Sequence, residues 1–148
     1  MDEEIIKEKT SADHLMYVSL KYTKTCDVIL NLLARWESLI EISFDAILTK
    51  RYEDGKIKSM PLTPIQRIEF IKKYFDKDEA IQKVVPLYVF FKRVPGLKKV
   101  RSGEFRKNVN LRVVLTPTKN VDINMEKLGE YYGIVETFMS SVKEIRAK

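Results

Sequence analysis

"ADHLMYVSLKYTKTCDVILNLLARWESLIEISFDAILTKRY", residues 12–52, runs without a glycine or a proline. Through it pass Leu15, Val18, Tyr22, Cys26, Ile29, Leu33, Trp36, Ile40, Phe44 and Ile47, each three or four residues from the last. That spacing follows the 3.5 to 3.6 residue period of a buried helical stripe. Leu32, Leu39 and Leu48 widen the apolar face. The stretch predicts one helix of roughly ten turns, bent near Thr23 and Thr25 and ending at Glu53-Asp54-Gly55. Thr10 with Asp13 gives the start signal, and Ser11 is an equally good cap, so residues 1–10 are predicted to be a flexible tail. A helix of this length suits a long bundle helix or a dimer seam.

Downstream, Lys56 to Leu62 is a polar connector. Thr63-Pro64-Ile65-Gln66 then combines a threonine cap, a proline at the first helical position and a glutamine two places on. Ile65, Ile68, Ile71, Tyr74 and Phe75 follow at helical spacing. Asp78 caps a third helix carrying Ile81, Val84, Val85, Tyr88 and Phe91, with Pro86 predicting a kink or break. Pro95-Gly96 stops it. In "GEFRKNVNLRVV", residues 103–114, Val109, Leu111 and Val113 alternate as in a strand, and Val121-Asp122-Ile123 pairs back across the turn at Thr116–Asn120 as a hairpin. Asn124 opens a last helix that buries Met125, Leu128, Tyr132, Val135, Phe138, Val142 and Ile145. Gly129 and Gly133, four apart on it, predict the close approach of a neighbouring backbone. The expected fold is all-α: a single domain, residues 1–148, forming an antiparallel four-helix bundle with a long first helix, a third helix kinked at Pro86 and a short β-hairpin before the last helix. Leu33, Trp36, Ile40, Phe44, Tyr132, Val135 and Phe138 are its expected centre.

Composition narrows the function classes. With 148 residues, 45% hydrophobic and 32% charged, the chain reads as globular and not as disordered. Its apolar runs are as short as Pro86-Leu87-Tyr88-Val89-Phe90-Phe91, too short to span a bilayer. Asp2, Glu3 and Glu4 stand where a secretory signal would be basic, so a cytoplasmic location and no membrane partner are expected. Cys26 is the only cysteine and His14 the only histidine, which excludes an internal disulfide and a Cys/His zinc site within one chain. No EF-hand spacing exists, and neither a metal nor a cofactor is expected. Cys26 reads as a small core residue; the alternative, a reactive thiol, requires a basic and open setting.

Catalytic signals are sparse. Asp13 and His14 are adjacent, so they lie on different helix faces, and His14 reads as a surface residue. Glu37 and Glu41 lie four apart and could share a proton or a metal, although such charged faces are usually solvated. No Gly-rich phosphate loop, G-x-S-x-G elbow or H-E-x-x-H is present, so no enzymatic activity is expected. The charge is more telling. Lys92, Arg93, Lys98, Lys99, Arg101, Arg106, Lys107, Arg112 and Lys119 face Glu104 alone, whereas the whole chain carries only +6. Lys98, Lys99, Arg101, Arg106, Lys107 and Arg112 are candidate polyanion-binding residues, with Phe105 as a base-stacking platform. The plain alternative is a solvated loop in a protein of pI 9.3. In the arm so predicted, Phe105 anchors to the bundle, and Arg106, Lys107 and Arg112 point outward because Val109, Leu111 and Val113 take the inward side. The leading reading is a non-catalytic, self-associating helical bundle, a homodimer acting as a partner-binding module. The alternative is binding of nucleic acid (RNA or DNA) or another polyanion through residues 92–119. Self-association predicts an apolar patch on the first helix, and polyanion binding predicts cations converging on one face.

Two stretches carry a resemblance: "SADHLMYVSLKYTKTCDVILNLLARWESLIEISFDAILTKR", residues 11–51, and "GEFRKNVNLRVVL", residues 103–115, with "INMEKLGEYYGIVETFMSSVKEI", residues 123–145. They are similar to small archaeal helical proteins of the HEPN type, which open with an Ala-Asp-His-Leu helix and carry a Glu-Phe-x-Arg-Lys-like segment before a final helix. The resemblance implies a helical bundle, often dimeric and often linked to nucleotides or RNA. Catalytic HEPN proteins carry Arg-x4-6-His. Here no histidine follows Arg101, Arg106 or Arg112, so the resemblance implies a fold and not ribonuclease chemistry.

Overall fold

The long first helix is two helices. In the structure, a computed structural model describing residues 2–148, the chain breaks at Thr23–Thr25 and folds back on itself. Helix α1 is α-helical over Glu3–His14, π-helical over Leu15–Ser19, and closes on Leu20–Tyr22. Helix α2 spans Cys26–Glu53. Thr23 leaves helical geometry at φ −138°, ψ 89°. Thr25 is extended, and its hydroxyl accepts the Val28 N–H at 3.2 Å. Two β-branched threonines, one with an oxygen that satisfies a free helix-start donor, favour a new N-terminus over a continuous helix. The predicted flexible tail is also corrected: residues 3–14 are helical and bury Ile5 and Ala12 against the core.

The later caps form from the residues that signalled them. The Thr63 hydroxyl accepts the Gln66 N–H at 3.1 Å, while Gln66 accepts the Leu62 N–H at 2.9 Å, opening α3 at Pro64–Tyr74. Ile65 is exposed and not part of the α3 apolar stripe. Asp78 accepts the Ile81 N–H at 3.0 Å and starts α4, Glu79–Arg93, which runs unbroken through an exposed Pro86. Asn124 accepts the Lys127 N–H at 2.8 Å and starts α5, Met125–Ala147. A Cβ at Gly129 or Gly133 would meet nothing within 4 Å, so neither admits a neighbouring backbone.

Between α4 and α5 lies an antiparallel sheet in the order β1-β2-β3, with β1 at Lys98–Ser102, β2 at Asn110–Thr116 and β3 at Lys119–Ile123. Val100 pairs with Arg112, and Val113 with both Lys99 and Val121. The expected four-helix bundle with a hairpin is therefore overturned: the described residues form five helices and a three-stranded antiparallel sheet. The break at Thr23–Thr25 adds the helix, and β1 adds the strand. Lys-Lys-Val-Arg-Ser has no apolar alternation because β1 is an edge strand, mostly exposed, with the cations that guard open edges against pairing.

Helix α2 lies at the centre. Trp36 stacks on Phe91 of α4 at 6.0 Å, and Phe44 meets Tyr88 of α4 at 5.3 Å and Phe138 of α5 at 5.4 Å, both edge-on. Leu111, Val113 and Ile123 seat the sheet on the same core. Tyr131, and not Tyr132, is the buried aromatic of its pair; Tyr132 packs edge-on against Tyr17 at 5.3 Å. Among the described residues, no helix is long and apolar enough to cross a membrane.

Candidate nucleic-acid interface

The turn between β1 and β2 is docked on the break between α1 and α2. The Phe105 N–H donates to the Lys24 carbonyl at 2.7 Å. One residue earlier, the Glu104 carboxylate accepts the Cys26 N–H at 3.1 and 3.4 Å. A carboxylate at the start of a helix meets free donors and the positive end of the macrodipole, which explains why Glu104 settles there. The Cys26 thiol donates to the Asn110 carbonyl at 3.3 Å. Burial, and then the Glu104 carboxylate through hydrogen bonding and charge, push that thiol up to about 11, so it lacks the character of a nucleophile.

Within the turn, Arg106 N–H donates to the Gly103 carbonyl and Val109 N–H to the Arg106 carbonyl, both at 3.0 Å. Gly103 has φ +65°, and a Cβ there would lie 2.5 Å from the Asn108 oxygen. Phe105, at φ +66°, is the one non-glycine with positive φ among the described residues. Its side chain is 75% exposed. Phe105 thus anchors the turn through its backbone, and the predicted side-chain anchor is corrected.

The six candidate cations do not act together. Lys99 donates to the carbonyls of Val94, Pro95 and Leu97 at 2.8, 3.3 and 2.7 Å, closing the end of α4. Arg101 pairs with Asp27 at 2.7 Å and lies 3.9 Å from Glu104. Arg112 grips Asp122 through two bonds of 2.7 and 3.1 Å. Lys98, Arg106 and Lys107 are exposed and form no ion pair among the described residues. Strand alternation sends Lys99 and Arg101 to the face shared with Val113 and Leu111, and Lys98 to the other. Convergence of all the cations on one face does not occur.

A smaller cluster takes their place. The bond from Phe105 N–H to the Lys24 carbonyl joins the turn that carries Arg106 and Lys107 to the segment that carries Lys21, Tyr22 and Lys24, which lie outside the basic segment of the sequence. The Lys24 ammonium donates to the Lys21 carbonyl at 2.9 Å, and the Lys21 ammonium sits 5.7 Å from the Tyr22 ring centre. Tyr22, expected in the buried stripe, is 78% exposed. The nearby carboxylates, Asp27 and Glu104, are already held by Arg101 and the Cys26 N–H.

The other candidates have structural partners. Glu41 accepts the Tyr88 hydroxyl at 2.7 Å and meets Arg67 and Lys92 at 3.3 and 3.4 Å; Glu37 lies 4.0 Å from Lys92. Burial pushes the Glu41 carboxyl up, but Tyr88, Lys92 and Arg67 outweigh it and hold its pKa below the usual range. It is a clamp between helices and a poor proton donor. His14 lines an open groove of about 710 Å³ between α1 and α2 with Thr10, Ser11, Leu15, Asn31, Ala34 and Arg35, a lining without a carboxylate. No family model, curated protein or solved structure matches this chain.

Proposed function

We propose that this protein binds nucleic acid, without chemistry on it, through the β1–β2 turn and the adjoining α1–α2 junction. The observation that carries this reading is the pair of exposed, unpartnered cations, Arg106 and Lys107, next to an exposed Phe105 on a turn docked beside Lys21 and Lys24. Cations left without protein carboxylates are free to replace counterions along a phosphate chain.

The test is fluorescence anisotropy of labelled RNA and DNA at two salt concentrations. Replacing Arg106 and Lys107 together by Ala is expected to weaken binding similarly across sequences and to flatten the salt slope by about 1.5 to 2 units. Undetectable binding at low salt, or binding untouched by the double replacement, rejects the reading.

Self-association is a second reading. Helix α1 exposes Ile6, Tyr17 and Val18, an apolar surface that a twofold copy would cover. Light scattering at micromolar concentration decides it: a particle of 17.4 kDa is the monomer.

A further inference from the structure

We infer that the ligand class of this site is single-stranded nucleic acid, with unpaired bases stacking on Phe105 and Tyr22; the inference rests on the nucleic-acid reading above. Tyr22 and Phe105, 78% and 75% exposed, are the two most exposed aromatic side chains among the described residues. They belong to different parts of the chain, yet one hydrogen bond, from Phe105 N–H to Lys24 O, holds their backbones at the same junction.

The backbone at Phe105 makes the ring harder to dismiss as incidental. At φ +66° a side chain is strained, and glycine or asparagine is the usual occupant. A phenylalanine there fits the turn poorly and removes little of its own surface from water. Strain of this kind, at an exposed residue in a basic setting, points to a contact made with something outside the chain. Both rings are also displayed on fixed backbone. Phe105 is tied to Lys24, and Tyr22 ends a helix whose next N–H, that of Thr23, donates to Ser19 O at 2.7 Å. A platform ordered in advance loses little freedom on binding.

The chemistry of the ligand follows from what the rings can reach. A duplex hides its base faces in the stack and offers phosphates and groove edges, for which cations alone would serve. A single strand offers a π-face at every base, and stacking on an aromatic ring tolerates any sequence. Lys21, 5.7 Å from the Tyr22 ring centre, with Lys24 and the turn cations Arg106 and Lys107 that follow Phe105 in sequence, suits the accompanying phosphates. Heparin, a polyanion without bases, would engage the cations and not the rings.

The experiment uses the full chain and four probes at one salt concentration: a labelled 12-nucleotide RNA, the DNA of the same sequence, the DNA duplex, and heparin. Single strands are expected to bind at least about tenfold more tightly than the duplex. Phe105→Gly, which suits the positive φ, and Tyr22→Ser, on an exposed position, should each weaken single-strand binding roughly 5- to 150-fold while leaving heparin binding and the salt slope unchanged. Far-ultraviolet circular dichroism checks that both variants keep the fold. Equal affinity for duplex and single strand, or ring variants that bind single strands as the parent does, overturns the inference and leaves the nucleic-acid reading standing. Absence of binding to every probe at low salt overturns both.

Discussion

The N–H of Phe105 donates to the carbonyl of Lys24 at 2.7 Å, joining a turn of the sheet to the break between the first two helices. That turn depends on Gly103. Its φ of +65° suits glycine, and an added Cβ would press to 2.5 Å from the Asn108 oxygen, a backbone atom that cannot swing away. Gly103→Ala is therefore expected to cost about 1 to 3 kcal/mol, read as a shift in the urea midpoint. It should also weaken nucleic-acid binding by displacing Phe105. A variant as stable as the parent would contradict the geometry of the turn.

Glu104 gives a second handle on the same junction. Its carboxylate bonds the Cys26 N–H at 3.1 Å, and burial followed by the Glu104 carboxylate raises the thiol to about 11. The native thiol should react slowly with an alkylating reagent at pH 8. Glu104→Gln removes the negative charge, so labelling should accelerate by about three- to fourfold for each unit by which the thiol pKa falls, the gain in thiolate being partly offset by its lower nucleophilicity. Equal labelling rates in the two proteins would rule out this coupling.

Much of the helical content was legible in local chemistry, since Thr63, Asp78 and Asn124 cap the helices they signalled. The break at Thr23–Thr25 was harder to read because the apolar stripe crosses it in phase, with Tyr22 and Cys26 four apart. The π-helical segment Leu15–Ser19 holds an extra residue per turn, which shifts the buried face of α1. Leu20 consequently enters the core, while Val18 and Tyr22 are exposed. Strand β1 gave no signal, because an edge strand of cations has no apolar face to alternate. The basic segment was visible as a run of charge, but its partners were not. Asp27 neutralises Arg101 from a helix far away in sequence, and Asp122 neutralises Arg112 across the sheet. Lys21, Tyr22 and Lys24 reach the site only through the fold, which no local pattern records.

Trp36 tests the core. It is 1% exposed and stacks on Phe91 at 6.0 Å, so Trp36→Ala should leave a cavity between α2 and α4 and cost about 3 to 5 kcal/mol. Urea denaturation followed by far-ultraviolet circular dichroism measures this. A loss below about 1 kcal/mol would place Trp36 outside a well-packed core.

Acid should selectively remove the Arg112–Asp122 ion pair that spans β2 and β3. Arg112, and after it Asn110, hold the Asp122 carboxyl down at about 2 by hydrogen bonding to its charged form. In the unfolded chain the same carboxyl returns to about 3.9. A carboxyl lowered on folding stabilises the native state wherever both states are ionised, so its full contribution is present above pH ~4 and is lost as the pH falls towards 2. Asp122→Asn abolishes the titration. The difference in urea midpoint between parent and variant should therefore be largest near pH 7 and shrink steadily between pH 4 and pH 2. Because both side chains lie in solvent, added salt at pH 7 should shrink it as well. A difference that stays constant from pH 7 to pH 2 would mean that Asp122 acts by its shape in β3, and not by its charge towards Arg112.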